Sequence, residues 1–432
     1  MNQGALIKPD IAAPGVGVLA AVAPPSNLGH DFDFLSGTSM AAPQISGLAA
    51  LYFGVHPTWS PMAVKSAMMT TAVDTKTASG GANTDPYEQG SGEVDPAAML
   101  NPGLVYDASN TDWLGYEEGL GIDTGTGTDP MDPSNLNYPS ISVGKLLGSR
   151  TITRTLTAVR PGVYRASVKL PGFRAEVTPA TLRFTRAGQT AKVSIKLTRT
   201  TAVSGTPVTG FLTWTGSGQV TVRSPIAVTP YALLAPDRVV GAGSEGGVSY
   251  SLTPGTEKVT LTGYAPVAGR PVQGEVSAAA DGEQDFAFTV PEGGKAGEFF
   301  VRTDNPDAKV ALLIWTAPTD GRPGQMMGDL SAYAHQGRVS LSSLPPGKYL
   351  ASVFAFDYLE GTSSTKFTLQ SNLVGMDTPT TGTFTVSPTR PATEPGVPFT
   401  ATGKWSGVNT TAPATAYIGY PDGTGTLVSI GG

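Results

Sequence analysis

Ser39 is the residue in this chain best placed to act as a nucleophile. It lies in Phe34–Gly47, FLSGTSMAAPQISG, immediately before Ile45, Leu48, Ala49 and Tyr52 begin to repeat at helical spacing. A hydroxyl at a helix start sits beside unpaired backbone N–H groups and the positive end of the helix dipole, which can stabilise an oxyanion formed there. The chemistry suited to that position is acyl transfer, which also needs a general base. Pro43 falls at the edge of the first turn, and Ala41, Ala42, Ser46 and Gly47 are small enough for close packing.

The base is harder to find. Of the three histidines, His30 lies in the polar stretch SNLGHDFDF and reads as a surface loop residue. His56 sits in the helix-to-helix turn GVHPTWSP, and His335 lies far downstream in YAHQGR. Asp10, Asp31 and Asp33 precede the serine. Asp123, in the Gly/Thr-rich GLGIDTGTGTDP, and Asn27, in APPSN, read as loop residues and not as a catalytic acid and an oxyanion donor.

GTSMAAP, with KPDIAAPGVGVLAA before it and HPTWSPMAVKSAMMTTA after it, resembles the serine segment of subtilisin-like peptidases, the subtilases. The resemblance implies that Ser39 is the acyl-enzyme nucleophile of a serine endopeptidase acting on peptides or proteins. It also implies a strand and loop over Lys8–Ala21 and a helix over Ser60–Thr71. The residues agree on the helix: Ser60 suits the N-cap, Pro61 the first helical position, and Val64, Ala67, Met68 and Thr71 line one side. Gln44 stands where subtilases commonly have His, and reads as a packing or hydrogen-bonding variant.

Subtilases place an Asp, a His in a His-Gly-Thr segment and an oxyanion-hole Asn ahead of the Ser, and none of these has its family context in the 38 residues before Ser39. The expectation is a C-terminal portion of a subtilase, inactive alone, whose partner is the missing N-terminal half of the catalytic domain. The apolar face of the serine helix is then expected to be exposed. The rival reading is a non-catalytic extracellular β-sandwich interaction protein with a vestigial protease segment.

The fold class expected is mixed: a partial α/β subtilisin-like remnant at the N-terminus followed by all-β sandwich domains. PYEQGSGEVDPAAMLNPGLVYD and LNYPSISV resemble the end of the core and the start of the fibronectin-III-like domain of plant-type subtilases. Alternating runs such as TITRTLTAV, YRASVKL and KVSIKLT support strands there, their Arg and Lys facing solvent. Expected boundaries are residues 1–107 for the catalytic part, 108–135 for a linker and 136–232 for the fibronectin-III-like sandwich, which should brace the core. Residues 233–375 form a sandwich or jelly roll, similar to bacterial pre-peptidase C-terminal domains through PPGKY at Tyr349, and 376–432 a partial Ig-like module. Trp315, Phe354 and Phe356 read as sandwich core, and Asp281, Glu283 and Asp285 as a polar hairpin turn and not a calcium loop.

With 54 Gly, 36 Pro and 14% charged residues, the composition favours turns and strands over long exposed helices. A net charge of -6 provides no basic field for nucleic acid or an acidic membrane. The absence of Cys removes disulfides and thiolate chemistry. Neither a metal nor an organic cofactor is expected, and there is no run of about 18 apolar residues that could span a membrane. MNQGALIKPDIAAPG lacks the pattern of a signal peptide; extracellular localisation is expected from the family resemblance. Asn409, in NTT, would accept a glycan only in a eukaryotic secretory context.

Overall fold

A computed structural model of the chain describes residues 6–277, 282–319, 324–355 and 364–431. Two compact units emerge, one running through Tyr231 and the other from Ala232.

The first unit opens with an antiparallel hairpin, β1 (Val18–Ala21) and β2 (Phe32–Leu35), in register Val18↔Leu35 to Ala21↔Phe32. Helix α1 (Thr38–Val55) follows, then α2 (Pro61–Thr71). The Ser60 side chain accepts the Ala63 N–H at 2.9 Å, and Pro61 occupies the first helical position, as the sequence leads one to expect. The two helices share a small core in which Tyr52, Val64, Ala67 and Met68 are buried.

The segment 108–135 holds more than a connector. A helix over Asn110–Gly119 starts with a reciprocal capping box between Ser109 and Asp112. Beyond it, two sheets face each other around Ile152, Leu156, Ile195, Leu212, Trp214 and Ile226. One sheet runs Leu104–Tyr106, Ser149–Ala158, Thr190–Arg199, Phe173–Thr178; the other runs Ile141–Leu147, Thr221–Tyr231, Val208–Thr215, Gly162–Lys169, Thr181–Phe184. The period-2 alternation of the sequence becomes alternating burial along these strands.

One basic residue on these strands departs from that pattern. Arg154 is 3% exposed, and its guanidinium donates to the carbonyls of Tyr138, Ser134, Thr153 and Ser140 at 2.8–3.0 Å. Burial draws its pKa down to about 10, with Tyr106 acting the other way. An alternating Arg reads as solvent-facing; here the chain at 134–140 lays its free carbonyls over the sheet and turns the guanidinium into a buckle.

In the second unit, strands from both ends of the segment form one sandwich. Gly246–Pro254 pairs with Phe399–Ser406, and Thr262–Val267 pairs with Ala414–Gly419. Between these ends a second pair of four-stranded sheets is inserted. One consists of Val272–Ser277, Ser364–Val374, Ala296–Thr303 and Gln336–Leu341; the other of Glu283–Val290, Gly347–Ala355, Val310–Thr316 and Met326–Ala334. Their shared core contains Phe299, Val301, Leu312, Ile314, Val353 and Phe367.

Two side-chain expectations change here. Phe354 and Trp315 are half-buried and lie outside that core, because Val353 and Ile314 take the inward positions and period 2 sends their neighbours to the opposite face. Phe356 lies outside the described residues. Glu283 and Asp285 belong to a strand and not to a turn, with Asp285 accepting the Ser352 hydroxyl across the pair Asp285↔Ser352; Asp281 lies outside the described residues.

Candidate active-site segment

Ser39 is the second residue of α1 and is exposed. Gly37 precedes the helix with φ +154°, without any side-chain cap. The first backbone donors to find an acceptor are Met40 and Ala41, both on the Gly37 carbonyl at 3.0 and 3.4 Å. The N–H groups of Thr38 and Ser39 therefore remain open beside the Ser39 hydroxyl, as a helix N-terminus requires. Such donors, aimed at a developing oxyanion, are what an acyl-transfer serine needs.

The loop before β1 holds this helix start in place. Gly37 N–H donates to the Gly15 carbonyl at 2.7 Å, Gly17 N–H donates to Ser36 Oγ at 2.9 Å, and the Gln44 side-chain amide donates to the Pro14 carbonyl. A Cβ at Gly15 would stand 2.8 Å from the Gly37 carbonyl oxygen and 3.2 Å from Ala41 Cβ, so the two segments meet at a distance only glycine permits. Gln44 is thus a hydrogen-bonding residue. The role of the APGVG loop was not legible beforehand, although its paired glycines are the kind of signal that marks a close backbone approach.

The other polar candidates are engaged elsewhere. His56 caps the far end of α1, stacked on Trp59 at 4.6 Å and tilted against Tyr52 at 5.0 Å. Seventeen residues at 1.5 Å rise separate it from Ser39 by about 25 Å. His30 is exposed and follows the turn at residues 27–29. The Asn27 amide donates to the Ala23 carbonyl within its own turn, and Asp123 accepts the Gly125 N–H in a local turn. Asp33 accepts the N–H of Phe34. His335 belongs to the second unit. None of them is brought to Ser39 within the first unit.

Asp10 has a different task. Its carboxylate accepts from Lys8, from Lys65 on α2 at 2.7 Å and from the Tyr138 hydroxyl at 2.7 Å. Burial raises the Asp10 carboxyl, but the bonds from Lys65, Lys8 and Tyr138 outweigh it and hold the group below its ordinary value. With Asp10 as acceptor, burial first and then its charge push the Tyr138 phenol well above the usual range. Arg223 forms a parallel link, pairing with Asp74 at 2.7 Å, donating to the Ser91 carbonyl at 2.8 Å and lying over Phe211. These contacts tie the helical part to the β-sandwich, the bracing expected of that domain.

The serine segment also exposes several large apolar side chains. Val16 is 86% exposed, Phe32 64%, Phe34 66%, Leu51 67% and Val55 62%. Tyr52 is the one fully buried residue of α1, and every residue of β2 is exposed. A two-stranded hairpin with both faces in water is marginal by itself, and exposed apolar surface of this kind marks an interface.

Among the described residues no group of three or more His, Asp or Glu is arranged to hold a metal ion, and no helix is long and apolar enough to cross a membrane.

Residues 2–92 match the subtilase family, and residues 135–228 match a fibronectin type-III domain. A CO(2)-response secreted protease of Arabidopsis thaliana is 39% identical over 264 residues, covering 52% of this chain and 33% of the relative. Subtilisin-like protease SBT1.6 of the same plant is 39% identical over 263 residues, covering 52% and 34%. Subtilisin-like serine-protease S of Lotus japonicus is 40% identical over 242 residues, covering 50% and 32%. The chain thus spans about a third of the length of these relatives. Over its first half the chain is thus similar to the subtilase family and, following it, to a fibronectin type-III domain, and it resembles subtilisin-like proteases of plants across about half of its length.

Proposed function

We propose that Ser39 is the nucleophile of a subtilase-type serine endopeptidase, extracellular as the secreted relative is, whose general base, acid and side-chain oxyanion donor come from polypeptide outside these 432 residues. The observation that carries this reading is the start of α1: an exposed Ser39 beside two open backbone N–H groups, with His56 stacked on Trp59 at the far end of the helix and His30 exposed in the loop before β2. Ser39 Oγ would attack the scissile carbonyl as a base removes its proton, and its own N–H would help hold the oxyanion. The open face formed by Val16, Phe32, Phe34 and Leu51 is then the surface on which the remainder of the catalytic domain packs.

In-frame joining of subtilase segments bearing the Asp, His and Asn to the N-terminal side should give peptide hydrolysis that Ser39→Ala abolishes. Hydrolysis that survives Ser39→Ala would remove Ser39 from the role of nucleophile.

A further inference from the structure

In the second unit, the outward face of the sheet containing Ala296–Thr303 is polar across three adjacent strands. Phe299 and Val301 point into the core, so Glu298, Phe300 and Arg302 point away from it. Register sets Ser340, Arg338 and Gln336 beside them on one flank, and Asn372, Gln370 and Thr368 on the other.

The two ends of this face differ. At one end it is sealed: Glu298 is fully buried, and its carboxylate accepts the hydroxyls of Ser340, Thr415 and Ser429 at 3.0, 2.7 and 2.6 Å. The amides of Gln370 and Asn372 both donate to the Pro413 carbonyl, at 2.8 and 2.9 Å, which pins the segment 410–413 above the sheet. At the other end, below that pinned segment, a cavity of about 580 Å³ opens. That volume is within the range typical of small-ligand sites, roughly 300–1,000 Å³. Among the described residues its lining includes Arg302, Gln336, Arg338, Thr368, Gln370 and Thr411, and no carboxylate.

Arg338 is the unresolved charge in this wall. Its guanidinium lies 5.7 Å from the Phe300 ring centre, and its Nη1 is buried without a hydrogen-bond acceptor. Arg238 likewise has a buried Nη1 without an acceptor. Burial, then the charge of Arg238, depresses the Arg338 pKa, with Glu298 opposing. Glu298 acts on Arg338 only at a distance: its oxygens accept three hydroxyls, and it makes no ion pair with either arginine among the described residues. Two arginines in one wall, with no carboxylate among the described lining residues, make the cavity a place for an anion. A planar fork is the geometry that recognises a carboxylate. The neighbouring amides and hydroxyls, spread over a flat strand face beside one ring, suit the hydroxyls of a sugar.

We propose that this cavity binds a carboxylate-bearing sugar of an acidic polysaccharide, the carboxylate on Arg338 and Arg302 and the ring hydroxyls on Gln336, Thr368 and Thr411. The site belongs to the second unit and the serine segment to the first, and its occupation does not depend on peptidase activity.

Calorimetric titration of the whole 432-residue chain with tri-galacturonate, with the neutral galactose trimer and with hexaglutamate tests it. Tri-galacturonate should bind and weaken as salt is added, and the neutral trimer should not bind. Arg302→Gln and Arg338→Gln should each weaken tri-galacturonate binding by about tenfold or more. Arg302 is exposed, so Arg302→Gln keeps the fold and carries the test even where Arg338→Gln does not. No tri-galacturonate binding up to about 10 mM, equal binding of hexaglutamate, or binding unchanged in Arg302→Gln would overturn the proposal.

Discussion

Gln44 reaches from the first turns of α1 to the Pro14 carbonyl, so the helix that begins beside Ser39 is fastened to the loop before β1 by a side chain and not by packing alone. Removing that donor leaves a carbonyl to be satisfied by water at a partly open site. Gln44→Ala should lower the stability of the first unit by about 1 kcal/mol, read as a fall in denaturation midpoint. Gln44→His keeps an N–H donor and should cost less than Gln44→Ala. Equal losses in the two variants would show that the bond contributes nothing.

The contact between Gly15 and Gly37 is closer than any side chain allows. Gly15→Ala places a methyl 2.8 Å from a backbone oxygen that cannot rotate away. The start of α1 must shift, at a cost of about 1–3 kcal/mol. In a chain joined to subtilase segments bearing an Asp, a His and an Asn, the same substitution should reduce turnover more than it raises KM, because it displaces Ser39 and not the substrate-binding surface.

Acid should weaken the junction between helices and sandwich. The Asp10 carboxyl sits below its ordinary value of 3.8 in the folded chain, and so does Asp132, where burial is outweighed by Arg150 and Ser134. A depressed carboxyl stabilises the fold above its unfolded value, and that contribution disappears as the pH falls from about 4 through the folded value. Denaturation midpoints followed from pH 6 to about pH 3 should therefore fall, and Asp10→Asn should flatten the curve. A profile that Asp10→Asn leaves unchanged would count against the ion-pair cluster.

Arg154 holds four carbonyls with one side chain. Arg154→Met keeps an unbranched side chain at the site but strands those carbonyls, and should destabilise the sandwich by about 3 kcal/mol or more. Arg154→Lys should rescue little of this, since a single ammonium cannot span the positions a guanidinium fork reaches. Chemical denaturation of both variants measures the difference.

Local signals carried much of the fold. Ser60-Pro61 announced α2, the alternation in TITRTLTAV and KVSIKLT announced strands, and GTSMAAP placed Ser39 at a helix start. The features that stayed hidden depend on residues far apart in sequence. Period 2 shows that Arg154 alternates but not that residues 134–140 will cover it. The strands Gly246–Pro254 and Phe399–Ser406 are separated by an inserted sandwich, so nothing local marks them as partners. For the same reason Arg338 and Arg302 look like ordinary strand arginines until register sets them in one wall.

The role assigned to Ser39 is tested most directly by exposing residues 1–432, with and without Ser39→Ala, to a fluorophosphonate probe once circular dichroism has shown both proteins folded. No base is brought to Ser39 among the described residues of the first unit, so neither protein should be labelled, while a chain joined to subtilase segments bearing an Asp, a His and an Asn should be labelled in a manner that Ser39→Ala abolishes. Labelling of residues 1–432 alone, lost in Ser39→Ala, would contradict this and show that the base comes from within the chain.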